Sequence, residues 1–287
     1  ETDRSERSPY LNIGTYVVLH KLIQDCKLKE ILDEYMDEKN TGFLLDLACY
    51  SIIEENNAGQ YYPDYAYDHA LFIPDMKLYT DSKVSDFFRK LRPEQAVGFL
   101  NSWNKLKNKR QKIYLSYDST NKNCQAGDID LLEYGNAKKD AGLPVFNYSV
   151  ACDSANREPL FYELYPGSLN DISQLTCMID KAHGYGYRNI GFILDRGYFS
   201  KGNLEYMENN GYSFLIMVKG MKDFIREIVI ENQGSFENSR GKYIDRYDLY
   251  GTTVRRLLYE GDTKKRNIHI YYSDGKAYGE KKEIKQK

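Results

Sequence analysis

No C-x-x-C pair, no apolar run long enough to cross a bilayer and no surplus of charge of either sign occurs in this sequence, and each absence removes a class of function. The five cysteines, Cys26, Cys49, Cys124, Cys152 and Cys177, are odd in number and far apart, which argues against a disulfide framework and against the usual zinc or redox pairings. They read as reduced thiols of a cytosolic protein. The longest apolar candidates, such as Ser213 to Val218, fall well short of the roughly 20 residues of a membrane helix, so no membrane partner is expected. Lys+Arg number 40 against 42 Asp+Glu, so any basic surface suited to nucleic acid has to be local. A G-x-S-x-G elbow, a Walker loop and a dinucleotide glycine fingerprint are also missing. A single tryptophan, Trp103, stands beside 27 tyrosines, a bias that reads as coding composition rather than chemistry. What remains is a globular chain of 287 residues, 41% hydrophobic, with material for one large domain or two to three smaller ones.

Apolar residues recur at helical spacing from Gly14 to Met36, and Asn40-Thr41-Gly42 reads as a stop before a second helical run from Phe43 to Ile53. Asp81 to Leu91 and Pro93 to Leu106 follow, the latter opened by a proline where the first helical turn tolerates one. After the basic run Lys105 to Lys112 the period changes from 3.6 to 2. Strands are expected over Ile113–Ser119, Pro144–Cys152 and Pro159–Tyr165, then a helix capped by Asn170 or Asp171 and running to His183. A buried strand over Arg188–Asp195, a helix over Lys201–Asn210 and another strand over Tyr212–Val218 complete the order βββαβαβ, with the first and fourth strands paired in parallel. From about Ser239 the pattern alternates again, with strands expected over Lys242–Tyr250, Thr253–Tyr259 and Asn267–Tyr272. The domains are therefore expected at 1–110 (helical, accessory or DNA-binding), 111–230 (α/β core), 231–275 (β-rich insertion) and 276–287 (the start of a helix).

In that connectivity Asp118, at the end of the first core strand, and Asp195, at the end of the fourth, are neighbours. Two adjacent carboxylates repel unless a hard divalent cation neutralises them, and such cations activate and stabilise oxygens in phosphodiester displacement. The bland alternative is that strand-end aspartates are ordinary turn residues. His183 beside Cys177 matches no ligand spacing and reads as a helix-end histidine.

Tyr117-Asp118-Ser119-Thr120 and Leu194-Asp195-Arg196-Gly197-Tyr198-Phe199-Ser200 resemble the first and second acidic motifs of DDE-type insertion-sequence transposases. The turn Pro166-Gly-Ser-Leu-Asn-Asp171 and the helical segment ahead of the core are similar to that family as well. The resemblance implies an RNase H-like core that cuts and joins DNA with Mg²⁺ or Mn²⁺ held by Asp118, Asp195 and a third Glu. It further implies double-stranded DNA partners (transposon ends and target), a homodimer on DNA, and a bacterial cytoplasmic, nucleoid-associated location. Thr120 and Arg196 flank the aspartates and, with Lys219, Lys222, Lys109 and Arg110, are the candidate DNA contacts; solvated surface is the plain alternative for each. The family's Y-x-x-R-x-x-x-E-x-x-x-x-x-x-K pattern matches no stretch here. Glu227, Glu231, Glu260, Glu280 and Glu283 lack its Tyr and Arg, so the third carboxylate is expected past Lys287 and the sequence is expected to be a fragment. A haloacid-dehalogenase-like phosphatase is disfavoured because Thr120 stands where a second Asp is needed. A catalytically dead DNA-binding relative and an RNase H-like nuclease without strand transfer stay open.

Overall fold

The computed structural model describes residues 7–109, 111–124, 129–135, 142–169 and 171–286. The helix expected from Gly14 to Met36 is two helices, α1 (Gly14–Asp25) and α2 (Leu28–Asp33), because Lys27 takes a left-handed backbone at φ 55° and turns the chain. Asn40-Thr41-Gly42, expected to stop a helix, lies inside α3 (Glu38–Ile53), whose cap is Asp37; its carboxylate accepts the Asn40 N–H at 2.8 Å. Gly42 is there for proximity rather than for a turn. A Cβ on it would fall 2.7 Å from Ile73 Cα and Phe72 O.

Against α3 pack α4 (Tyr62–Asp68) and α5 (Asp81–Lys90), while α6 (Pro93–Lys105) packs against α2. Phe43, Leu47, Tyr50, Tyr62, Tyr65, Val84 and Phe87 form their common core. The Phe43 ring lies 4.7–5.5 Å from those of Tyr79, Phe87 and Tyr62, an aromatic cluster worth more than its buried area alone. Within this core Asp46 is 1% exposed. Its carboxylate accepts the N–H groups of Phe72 at 2.6 Å and Ile73 at 3.1 Å, stitching the 70–73 segment to α3.

The helical region is followed by a mixed sheet of β1 (Ile113–Asn123), β2 (Val145–Asp153), β3 (Glu158–Pro166), β4 (Ile190–Leu194) and β5 (Ser213–Ile216). Their spatial order is β3-β2-β1-β4-β5. The β1–β4 and β4–β5 pairs are parallel and the other two antiparallel. The parallel pairing of the first and fourth strands is as expected. Ile113, Leu115, Tyr117, Phe192 and Leu194 turn to a buried face, as do Leu175, Met178, Ile179 and Ala182 of α7 (Asp171–Gly184) and Leu204 and Met207 of α8 (Lys201–Asn209). The opposite face is open: Tyr114, Tyr162, Leu164 and Leu215 are exposed on it. At the junction of helices and sheet, the Trp103 indole donates to Pro159 O at 2.7 Å and the Asn104 amide to Leu160 O at 2.8 Å, while Tyr187 OH donates to Asn104 Oδ1 at 2.7 Å. Those bonds satisfy the end of α6 and two carbonyls of β3 together.

The chain divides into two compact units, Glu1–Met217 and Val218–Lys287. The second holds α9 (Lys222–Asn232), β6 (Tyr243–Ile244), β7 (Leu249–Arg256), β8 (Arg266–Tyr272) and α10 (Asp274–Gln286). β6, β7 and β8 form an antiparallel sheet, and Ile228, Phe236 and Leu258 are buried. The strand expected over Lys242–Tyr250 is interrupted by a 3₁₀ turn at Asp245–Tyr247 and by Asp248 at φ 50°, whose carboxylate accepts the Tyr243 hydroxyl at 2.6 Å. Gly251, expected to separate two strands, is inside β7. A Cβ there would sit 3.1 Å from the Tyr271 ring. No helix among the described residues is long and apolar enough to cross a membrane.

Candidate functional site

Tyr117 and Leu194 are the last pair of the parallel β1–β4 ladder, and Asp118 and Asp195 are the next residue on each chain. Neighbouring strands lie about 4.8 Å apart, so the backbones of these two residues are neighbours at the C-terminal edge of the parallel strands. There β4 ends, whereas β1, expected to stop at Ser119, continues to Asn123 because β2 goes on pairing with it to Asn123↔Val145. Alternation sends Asp118 to the more exposed face of the sheet, opposite buried Leu115 and Tyr117. Both aspartates are exposed.

Asp195 has a local task as well. Its Oδ1 accepts the Gly197 N–H at 2.6 Å and caps a 3₁₀ turn over Arg196–Tyr198. Ser200 Oγ then accepts the Asn203 N–H at 3.1 Å to cap α8, and the Asn203 amide donates back to Tyr198 O at 2.9 Å. The run from Asp195 to Ser200 is thus two caps in succession with Tyr198 and Phe199 buried between them. In the described contacts of Asp195, Oδ2 is unengaged.

Two neighbouring, exposed carboxylates fit a hard divalent cation, since Mg²⁺ characteristically takes one or two carboxylates and completes its shell with water and substrate phosphate oxygens. Among the described residues no group of three or more His, Cys, Asp or Glu side chains is arranged to hold a metal. Of the glutamates weighed for a third ligand, Glu227 and Glu231 are on α9, where Glu231 pairs with Arg256. Glu260 is exposed in the turn after β7, and the side chains of Glu280 and Glu283 lie outside the described residues.

Of the candidate DNA contacts, Thr120 is two residues along the same face of β1 as Asp118, and Arg196 is exposed beside Asp195. Lys109 is at the other end of the strands, its Nζ 5.9 Å from the centre of the Tyr187 ring just ahead of β4. Lys219 and Lys222 are exposed and belong to the second unit. Arg110 and Asn170 lie outside the described residues. His183, at the end of α7, bonds the Tyr212 hydroxyl through Nε2 at 2.9 Å, and Cys177 is an exposed free thiol.

Sequence reasoning passed over two groups behind this edge. Asn147 of β2 is buried, and its amide donates to Pro166 O at 3.0 Å, Gly167 O at 3.3 Å and Leu169 O at 3.0 Å, holding the turn that leads into α7. Gly167 there admits no side chain, since a Cβ would fall 2.2 Å from Val145 O. The other group is Tyr117, whose hydroxyl donates to Glu163 Oε2 at 3.0 Å while its ring centre lies 5.5 Å from that of Tyr198. A polar residue at an inward position of β2 and tyrosines next to each motif aspartate were the available signals.

The family described as Transposase DDE domain matches the chain over residues 114–275. No curated protein matches it. Among solved structures, the Mos1 transposase paired-end complex with left transposon end is 11% identical, with TM-score 0.27, over 65% of this chain and 64% of that one. The piggyBac transposase synaptic complex with hairpin DNA is 13% identical, with TM-score 0.36, over 68% of this chain and 44% of that one. The chain therefore spans less than two thirds of the length of either.

Proposed function

Because the chain belongs to the transposase DDE-domain family, with more than half its length matched, we propose that it acts in metal-dependent DNA cleavage and strand transfer of an insertion sequence, through Asp118 and Asp195 on an RNase H-like core. The observation that carries this reading is the register: the two aspartates follow the last pair, Tyr117↔Leu194, of a parallel ladder. The sheet order β3-β2-β1-β4-β5 supports the RNase H-like assignment. Mg²⁺ or Mn²⁺, when bound by Asp118 and Asp195, supplies charge neutralisation and activation of the attacking and leaving oxygens. The chain's own residues orient the site. Asp195, fixed through Oδ1 by the Gly197 N–H, presents its remaining oxygen, and Asp118 stands on the open face where a phosphate can approach.

In this reading water first attacks the phosphorus at the end of the element and the P–O3′ bond breaks, leaving a 3′-hydroxyl. That hydroxyl then attacks a target phosphodiester, forming a new P–O bond as the target's own 3′-oxygen leaves. Double-stranded DNA, as transposon ends and target, is the proposed partner, held by a homodimer in the bacterial cytoplasm. The distribution of charge supports a DNA partner: residues 218–287 hold 16 Lys+Arg against 11 Asp+Glu, although the whole chain is at −2. A surplus of that sign attracts a phosphate backbone and makes binding salt-dependent.

A second reading, a catalytically silent DNA-binding member of the same family, is favoured by the lack of a three-carboxylate group among the described residues. Mn²⁺-dependent nicking of supercoiled plasmid by the full reading frame separates the two. Nicking lost in Asp118→Ala and in Asp195→Asn, the latter keeping its cap, is the expected result; equal nicking in all forms, or none in any, sinks the catalytic reading. A pre-cut end with a free 3′-hydroxyl gives joined product only from a transposase, not from a simple nuclease.

A further inference from the structure

The ladder that aligns β1 with β4 stops one residue short of both aspartates. Beyond Tyr117 and Leu194 the two chains diverge: β1 continues with β2 alone, and the other leaves through the 3₁₀ turn. Two tyrosines pack together next to this point of divergence. Tyr117 precedes Asp118 and Tyr198 follows Asp195 by three; each is 1% exposed, and their ring centres are 5.5 Å apart at a 54° tilt.

The Tyr117 ring and the Tyr198 backbone are each tied to neighbouring elements. The Tyr117 hydroxyl donates to Glu163 Oε2 on β3 at 3.0 Å, and Glu163 Oε1 lies 3.7 Å from Lys181 Nζ on α7. The Tyr198 carbonyl accepts the Asn203 amide of α8 at 2.9 Å. A chain of contacts therefore runs from α7 and β3 through Tyr117 and Tyr198 to the backbone that carries Asp195.

We propose that Tyr117 and Tyr198 are positioning residues, which set the separation of the Asp118 and Asp195 carboxylates and so make the pair selective for a small octahedral cation. The inference rests on the metal-site reading of those aspartates. Its physical basis is the contrast between Mg²⁺, which demands near-ideal octahedral geometry, and Ca²⁺, which accepts a flexible, larger shell. A loosened gap penalises the first and spares the second.

The test is Mn²⁺ binding to the full chain, followed by electron paramagnetic resonance of the free ion, with Mg²⁺ and Ca²⁺ as competitors. In Tyr198→Leu the apparent Mg²⁺ affinity falls about tenfold or more, as for other residues that orient metal ligands, while that for Ca²⁺ changes much less. Tyr198→Phe, which keeps the ring, restores the parent ratio. Tyr117→Phe, isosteric but cut off from Glu163, shifts the ratio in the same direction by a smaller factor, and it decides the matter if Tyr198→Leu does not fold. A Mg²⁺/Ca²⁺ ratio equal to the parent's in the folded variants, whatever their melting temperatures, overturns the proposal. Mn²⁺ binding that Asp118→Ala leaves unchanged overturns instead the metal-site reading beneath it.

Discussion

Asp46 makes the stability of the helical region depend on pH in a direction opposite to that of a surface carboxylate. Burial is the dominant influence on it and outweighs the two backbone N–H bonds and the attraction of Arg7, so its pKa is pushed up from 3.8 to about 7. A folded pKa above the unfolded one means that the folded state holds the proton longer. Between about pH 4 and 7 the unfolded chain has released this proton and the folded chain has not, so stability falls as pH rises through that window. Below it both states are protonated, and above it the full cost of a buried anion is present. A shift of about 3 units corresponds to a loss on the order of 4 kcal/mol. Urea unfolding of the parent and of Asp46→Asn, followed by the single tryptophan Trp103, measures it. Other carboxylates titrate in both proteins, so the quantity that matters is the difference between their pH profiles. The parent is expected to lose stability relative to Asp46→Asn as pH goes from 4.5 to 8. Parallel profiles, within about 0.5 kcal/mol, would refute the reasoning, because they would mean that Asp46 ionises in the folded protein as it does unfolded.

Gly42→Ala is expected to destabilise the helical region, because the new Cβ meets backbone atoms of Phe72 and Ile73 at 2.7–2.9 Å. Overpacking of this kind costs about 1–3 kcal/mol, against a helix-propensity gain of about 1 kcal/mol; a rise in melting temperature would contradict the close-approach explanation. Asn147→Ala removes the donor shared by three carbonyls of the turn before α7. A loss of about 2–4 kcal/mol is expected from the unsatisfied groups, with faster amide exchange at the start of α7, and unchanged exchange there would show that the turn stands without it.

Much of the architecture could be read directly from residue patterns. The period change after Lys112, the inward apolar positions of β1 and β4, and the proline that opens α6 are local signals, and the elements stand where those signals put them. The candidate site was legible to the same extent, since Asp118 and Asp195 end apolar alternating runs and parallel pairing of those runs follows from connectivity. Asn147 and the Tyr117–Tyr198 pair were not, because their partners lie on other strands and helices. α9 was also missed, although Ile225, Ile228 and Val229 have helical spacing.

Glycines mark the division most clearly. A glycine in sequence announces only that a side chain is absent; Gly42, in the run read as a stop, is needed where the backbone of Phe72 and Ile73 comes close, and Gly251, read as a break, lies inside a strand beside the Tyr271 ring. Lys27, with nothing in its side chain to mark it, is the residue that turns left-handed and breaks a helix. By itself the sequence determined most of the helices and strands and which two carboxylates follow the apolar runs of the central strands, because periodicity and capping act between residues a few positions apart. Tertiary structure alone decided how far β1 runs, which glycines are close contacts, what supports the two aspartates and where the candidate basic residues fall. Those are matters of packing and register between segments distant along the chain, and no local pattern records them.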